Sequence, residues 1–256
     1  MPFTEPQPFR EALRSRAVKA ILPTHLGSDE LMALDVALRE RSMFAARILN
    51  EDFLDRAGRL VTQIIEGSGG SRAEAGLPAM DLPQARAALK DFLASIDWQP
   101  AAGDEGTIKD LRTDQRLDLI LKTNTDMANG YGQWVQGQDP RVINAWPAQE
   151  LVRRIDRVEK RNWYERWRAA GGTIYRGKPP GQPLVQGVSE GRCIALKDDP
   201  IWEAISVFGQ PYPPFDFNSG IRLRDVSRRE AIELGVIDER TRVTPQTRPF
   251  EAEFPE

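Results

Sequence analysis

The chain has 256 residues, of which 40% are apolar and 29% are charged, and its net charge of -3 argues against general electrostatic capture of nucleic acid. One cysteine, Cys193, excludes an intramolecular disulfide, and one histidine, His25, leaves no pair of thiolate or imidazole ligands for zinc. The N-terminus has no secretory pattern and no apolar run approaches the roughly 20 residues of a membrane helix, so we expect a protein made and used in the cytosol.

The first part of the chain has the pattern of successive helices. Apolar residues at helical spacing predict a helix from Phe9 to Leu22 that stops at Pro23. A second helix is predicted after Ser28, with its inward positions at Leu31, Leu34, Leu38 and Ala45. The clearest pattern follows Asn50, a typical N-cap. Its apolar positions are Phe53, Leu54, Ala57, Leu60, Val61, Ile64 and Ile65.

Glycine, serine and small polar residues over 67–80 predict a flexible loop. It is not a phosphate-binding P-loop, which needs a preceding strand and a lysine and hydroxyl after the last glycine. Asp81 and Gln84 predict a capping box for the next helix. The apolar stripe of that helix is Ala85, Ala88, Leu89, Phe92 and Ile96. A long helix near 113–135 follows, with a buried side at Leu117, Ile120, Leu121, Met127, Ala128, Tyr131, Trp134 and Val135.

The pattern changes after Pro147. One more helix is predicted there, with apolar positions at Leu151, Ile155, Trp163 and Trp167 and an end at Gly171. Short strands are then predicted at 173–175, 193–196 and 221–223, and a last helix from Ser227 to Leu234 with Gly235 as its stop. Five of the six tryptophans and all four tyrosines lie between 131 and 212, which predicts an aromatic core.

These elements predict an α+β fold in three parts. Residues 1–106 form a helical N-terminal arm. Residues 107–240 form a core module that carries the small aromatic core, short strands and loops, and residues 241–256 form an extended tail.

The sequence contains few candidates for the nucleophile and the base of nucleophilic catalysis. His25 would have to serve as base for any serine or for Cys193, but it lies in a turn between helices and no nucleophile-elbow sequence occurs. We therefore interpret His25 as structural and Cys193 as a buried, inert residue of a strand.

Asp198 and Asp199 are the tight acidic pair of the aromatic half. Adjacent side chains point apart, and aspartate before proline favours a turn or helix start. We interpret the Asp198 or the Asp199 side chain as the cap of the helical turn that carries Trp202. An enzyme that uses both carboxylates with Glu203 stays a remote alternative, so the sequence predicts no catalytic residue, cofactor or metal.

The segment 153–168 combines basic and aromatic residues. Basic side chains can neutralise phosphates while rings stack on bases, whereas the acidic residues within helical reach are also typical of a solvated helix or a protein interface. The residues predicted to contact nucleic acid or a partner are Arg153, Arg157, Arg161, Trp163 and Trp167.

Several patches occur in a familiar order. An arginine-led segment, 116–125, contains Thr123 and Asn124, and an alanine and aromatic stretch follows it. An arginine-rich stretch, 157–172, leads to a glycine turn. The third patch and its following turn are Asp198, Asp199, Pro200, Ile201 and Trp202, then Pro213 and Pro214. With the closing segment 224–227, these patches resemble the phage Mu F-like minor head proteins, also called head morphogenesis proteins.

The resemblance implies a structural, non-enzymatic protein of a tailed phage or prophage that acts in head morphogenesis near the portal. It implies portal, capsid or scaffold partners, packaged DNA as a further partner, and no membrane or small-molecule substrate. The protein would then occur in the bacterial host cytoplasm during assembly and in the virion head. Many members carry a histidine after the arginine-rich stretch and a Cys-Arg-Cys group after the Pro-Pro turn. This chain has the sequence 215–220, Phe-Asp-Phe-Asn-Ser-Gly, at the second place. The alternative is a nucleic-acid-binding module using 153–168.

Overall fold

The structure, a computed structural model, describes residues 9–43, 45–68, 80–153, 161–176 and 191–248. These residues belong to two compact units, which we call the N-terminal unit and the C-terminal unit, divided between Gly132 and Gln133. Helices together with a four-stranded antiparallel sheet confirm the α+β class. The three-part division at residues 106 and 240 stays a prediction.

Six helices begin in the described part of the N-terminal unit. They are α1 (Arg10–Ala17), α2 (Ser28–Met32), α3 (Val36–Glu40), α4 (Glu51–Ser68), α5 (Leu82–Ser95) and α6 (Asp114–Gly137), the last of which contains the division point. The core of this unit is formed mainly by α4, α5 and the first half of α6. Of the predicted loop at 67–80, residues 69–79 lie outside the described residues.

Two of the early helix predictions were wrong. The first helix ends at Ala17 because the chain after it pairs with another segment: the Ala20 amide donates to the Arg41 carbonyl at 2.6 Å, and the Ala20 carbonyl accepts from the Met43 amide at 3.2 Å. The second helix is split into α2 and α3 because the Asp35 carboxylate accepts from the amides of residues 37 and 38 and starts a new helix. Leu38, predicted to face inward, is 43% exposed.

Side-chain caps confirm the starts of α4 and α5. The Asn50 amide oxygen accepts from the Phe53 backbone at 2.8 Å. Asp81 and Gln84 form the predicted reciprocal box, in which each side chain accepts from the other's amide. The apolar stripe of α5 is buried at Leu89, but Ile96 lies just after the helix and is exposed, so the prediction was wrong there.

The C-terminal unit is built around the sheet. Its strands are β1 (Ala148–Arg153), β2 (Ile174–Tyr175), β3 (Arg192–Leu196) and β4 (Ile221–Val226), in the order β2-β3-β1-β4. The helices are α7 (Pro140–Ala145), α8 (Trp163–Ala169), α9 (Ile201–Ala204) and α10 (Arg228–Glu233). The three predicted strands and the last predicted helix are confirmed, and Gly235, with φ of 72°, follows that helix as its stop.

The helix predicted directly after Pro147 was wrong. Residues 148–153 form β1, because their backbone groups pair with β3 on one side and β4 on the other. Residues 154–160, including Ile155 and Arg157, lie outside the described residues. Helical structure is present at Trp163–Ala169, where the Asn162 side chain accepts from the Glu165 amide at 3.2 Å.

Candidate functional site

The acidic pair of the Asp-Asp-Pro-Ile-Trp segment acts on backbone amides. The Asp199 carboxylate accepts from the Ile201 amide at 2.8 Å, which confirms its predicted role at the start of α9. The Asp198 carboxylate accepts instead from the Thr244 amide at 2.9 Å. The two carboxylates therefore bind amides of different segments and do not converge on a common partner.

The third acid of the remote enzyme alternative is also engaged. Glu203 accepts from the Arg248 guanidinium at 2.6 Å. His25, the chain's single imidazole, is an exposed residue of the N-terminal unit. Among the residues that the structure describes, no group of three or more histidine, cysteine or acidic side chains is placed to hold a metal ion.

Trp202 occupies the centre of an aromatic cluster. Its ring stacks on Phe215 with centroids 6.0 Å apart and an interplanar angle of 18°, and it meets Trp167 edge to face at 5.3 Å. All three rings are fully buried. The indole N–H of Trp202 donates to the Leu196 carbonyl at 2.7 Å, which ties the cluster to the end of β3. The motif tryptophan therefore joins α9, α8 and the sheet.

The Pro-Pro turn is a buried part of the same framework. Pro213 and Pro214 are joined by a cis peptide bond and both are buried. The buried Gln210 side chain donates to the Tyr212 carbonyl at 3.1 Å and to the Pro214 carbonyl at 3.4 Å. A buried carbonyl needs a hydrogen-bond donor, and proline has no backbone N–H to offer. The Gln210 side chain therefore supplies the donor for the carbonyls of this turn.

Rings and ion pairs fill the segment after the turn, where members of the resembling family carry cysteines. Phe217 meets Phe208 edge to face at 4.9 Å. Asp216 accepts from Arg161 at 3.2 Å and from Arg166 at 3.1 Å. The segment is thus anchored by aromatic contact and charge.

The basic and aromatic segment is not one helical surface. Arg153 is a buried residue of β1, and Arg157 lies outside the described residues. Arg161 is exposed but paired with Asp216. Trp163 and Trp167 are 1% and 0% exposed, so their rings are not available to stack on bases in this structure.

Thr123 and Asn124 are buried residues of α6 in the N-terminal unit. The Asn124 side chain donates to the Ile120 carbonyl at 2.9 Å, one turn earlier. A bond of this kind satisfies a buried amide within its own helix. Both motif residues are therefore part of the protein interior and not of its surface.

A buried charge cluster escaped the sequence analysis. Glu150, which is fully buried on β1, accepts from Arg192 at 2.8 and 2.7 Å and from Arg224 at 2.9 and 2.6 Å. Glu230 accepts from the same two arginines, and its pKa is lowered chiefly by the hydrogen bond from Arg224. The sequence signal was an acid directly before the apolar pair Leu151 and Val152, but the partners of that acid depend on strand register.

Cys193 is buried in β3, as predicted. Burial is the main reason that the pKa of its thiol is raised to about 12. The thiolate form is therefore scarce at neutral pH, which suits an inert packing residue. Among the described helices, none is long and apolar enough to cross a bilayer.

Comparisons of this chain with protein-family models, with curated proteins and with solved structures find no match.

Proposed function

We propose that this chain is a structural minor head protein of a tailed phage or prophage that acts in head morphogenesis near the portal. The supporting observation is that the motif residues have structural roles. Asp198 and Asp199 bind backbone amides, Trp202 is the centre of an aromatic cluster, and Pro213 and Pro214 form a buried turn. Residues that carry the resemblance thus build a framework.

The same contacts favour assembly over turnover. Asp198, Asp199 and Glu203 have separate partners, whereas catalysis by paired carboxylates needs them to converge on one substrate. A framework protein needs instead a stable shape and a surface for its neighbours. Leu22 and Leu38 of the N-terminal unit are 42% and 43% exposed and line one mainly apolar groove, and a contiguous exposed apolar patch is typical of protein contacts. The partners that we propose are portal and capsid or scaffold proteins.

The alternative, a nucleic-acid-binding module at 153–168, has less support. Its two tryptophans, Trp163 and Trp167, are core residues, and Arg161 and Arg166 are paired with Asp216. Binding through that segment would have to depend on the remaining cations alone. It would then show a steep loss of DNA affinity with salt and a proportionate loss in an Arg161→Glu variant.

Deletion of the gene from an inducible prophage that encodes this chain tests the proposal. We expect infectious particles to fall at least tenfold, with empty or malformed heads in electron micrographs, and the chain to co-purify with the portal protein. Wild-type chain expressed from a plasmid should restore assembly. A variant with a neutral surface change, Arg141→Gln, should restore it equally well, since the Arg141 side chain is 92% exposed. Normal heads and normal titre from the deletion strain would refute the proposal.

A further inference from the structure

A pocket of about 620 Å³ opens in the N-terminal unit, and its lining combines cations with apolar walls. The volume falls in the range of about 300–1,000 Å³ that is usual for small-molecule sites. The charged lining residues are Arg47, Lys109, Arg116 and Asp29, and Trp98 and Ile108 supply apolar wall. Three cations face one carboxylate in a chain whose net charge is -3, so the pocket is locally positive.

Arg116 is the innermost cation and is incompletely satisfied. Its Nη2 donates to the Ala46 carbonyl at 2.6 Å, whereas its Nε is buried with no hydrogen-bond partner among the described residues. Burial, and then the charge of Arg47, lower the pKa of Arg116. Two guanidinium groups therefore repel each other across the pocket. An anion between them would relieve that repulsion.

Arg47 has an unusual backbone conformation. Its φ of 58° lies in the left-handed region, which is unfavourable for a residue with a side chain. Its amide is fixed in that conformation by a bond to the Leu26 carbonyl at 2.9 Å. Its guanidinium lies beside the Gly27 turn, close to the Glu30 carboxylate, and no salt bridge among the described residues includes it. Glycine would satisfy this backbone better than arginine does.

We propose that this pocket binds a small organic anion, a phosphate or carboxylate joined to an apolar body. Arg47 and Arg116 hold the anionic group, because the planar guanidinium donates in pairs to such oxygens. Trp98 and Ile108 contact the apolar body, since Ile108 is 40% exposed and lines the pocket. Lys109 also lines the pocket, but its charge is paired with Asp104 at 3.5 Å, so Arg47 and Arg116 are the cations that would hold the anion.

Isothermal titration calorimetry of the full chain tests this site with three probes: phenyl phosphate, phenol and inorganic phosphate. Phenyl phosphate should bind at least tenfold more tightly than either of the others, because only it has both the anion and the ring. Arg116→Gln should weaken phenyl phosphate binding at least tenfold. The matched control Arg141→Gln makes the same charge change at a 92% exposed side chain and should bind like the wild type.

Arg47→Gly separates loss of the site from loss of the fold. Glycine accepts a positive φ without strain, so this variant should keep or raise Tm while it binds phenyl phosphate at least tenfold more weakly. Phenol binding as tightly as phenyl phosphate, or binding within twofold of wild type in both arginine variants, would overturn the anion site. Inorganic phosphate that binds as tightly as phenyl phosphate would overturn the apolar contact.

Discussion

Truncation of Trp202 should destabilise the C-terminal unit more than any surface change of the same size. The side chain is fully buried, stacks on Phe215, meets Trp167 and donates to the Leu196 carbonyl at 2.7 Å. Large-to-small substitution of a buried tryptophan costs about 3–5 kcal/mol. Whole domains are stable by about 5–15 kcal/mol, so Trp202→Ala should remove a large part of the free energy of unfolding.

Urea unfolding followed by far-UV circular dichroism measures this loss without depending on tryptophan fluorescence. Trp202→Phe should cost less, about 1–2 kcal/mol, because the ring contact is largely kept and one hydrogen bond is lost. Trp146 is the matched control, since it belongs to the same unit and is 44% exposed. Trp146→Ala should change stability by less than about 0.5 kcal/mol. A loss below about 1 kcal/mol in Trp202→Ala, or an equal loss in both alanine variants, would refute the reasoning.

Three further predictions concern single groups. Glu150→Gln should cost about 3–5 kcal/mol in the same urea assay, because two arginines lose a buried counter-charge, whereas the exposed ion-pair variant Glu233→Gln should stay within about 0.5 kcal/mol. The hydrogen bond from Arg112 lowers the pKa of Asp110 below its ordinary 3.8. The ionised Asp110 carboxylate therefore stabilises the fold above pH 3.8, and this stabilisation is lost as the pH falls below 3.8. Asp110→Asn should show a flatter decline of Tm than the wild type between pH 4 and pH 2, and an equal decline would contradict this. Cys193, whose thiol pKa is raised to about 12, should react with a thiol reagent at pH 8 at least about 100-fold more slowly in the native chain than in urea, and equal rates would contradict its burial.

Local signals were sufficient for the helices with side-chain caps. Asn50, Asp81 and Gln84 form their predicted bonds to backbone amides, because a cap depends on residues only three positions away. The same holds for Asp199 at the start of α9. For these elements the chain sequence contains both partners within one turn.

Long-range pairing explains what the sequence analysis missed. Residues 148–153 were predicted as helix, but their partners in β3 and β4 come some 40 to 80 residues later along the chain. The bond from Arg116 to the Ala46 carbonyl likewise joins residues 70 apart, and both residues line the cationic pocket. Patterns within one segment carry no information on such partners.

Burial also changed the interpretation of the basic and aromatic segment. Trp163 and Arg153 looked like one helical surface, yet the first is in the aromatic core and the second is in a central strand. Aromatic residues near arginines have the same sequence pattern in a core as on a nucleic-acid-binding face. The two cases, a buried core and a nucleic-acid-binding face, are distinguished only by where β1 and α8 lie in the fold.

The most direct test of the account compares folding with head assembly in two motif variants. Asp199→Ala removes the side-chain hydrogen bond to the first amide of α9 at an expected cost of about 1 kcal/mol, and Trp202→Phe weakens the aromatic cluster. For each variant we would measure the free energy of unfolding and the yield of DNA-filled heads from the complemented deletion strain. We expect head yield to fall only as stability falls. A variant as stable as the wild type that yields no filled heads would contradict a framework role for these residues.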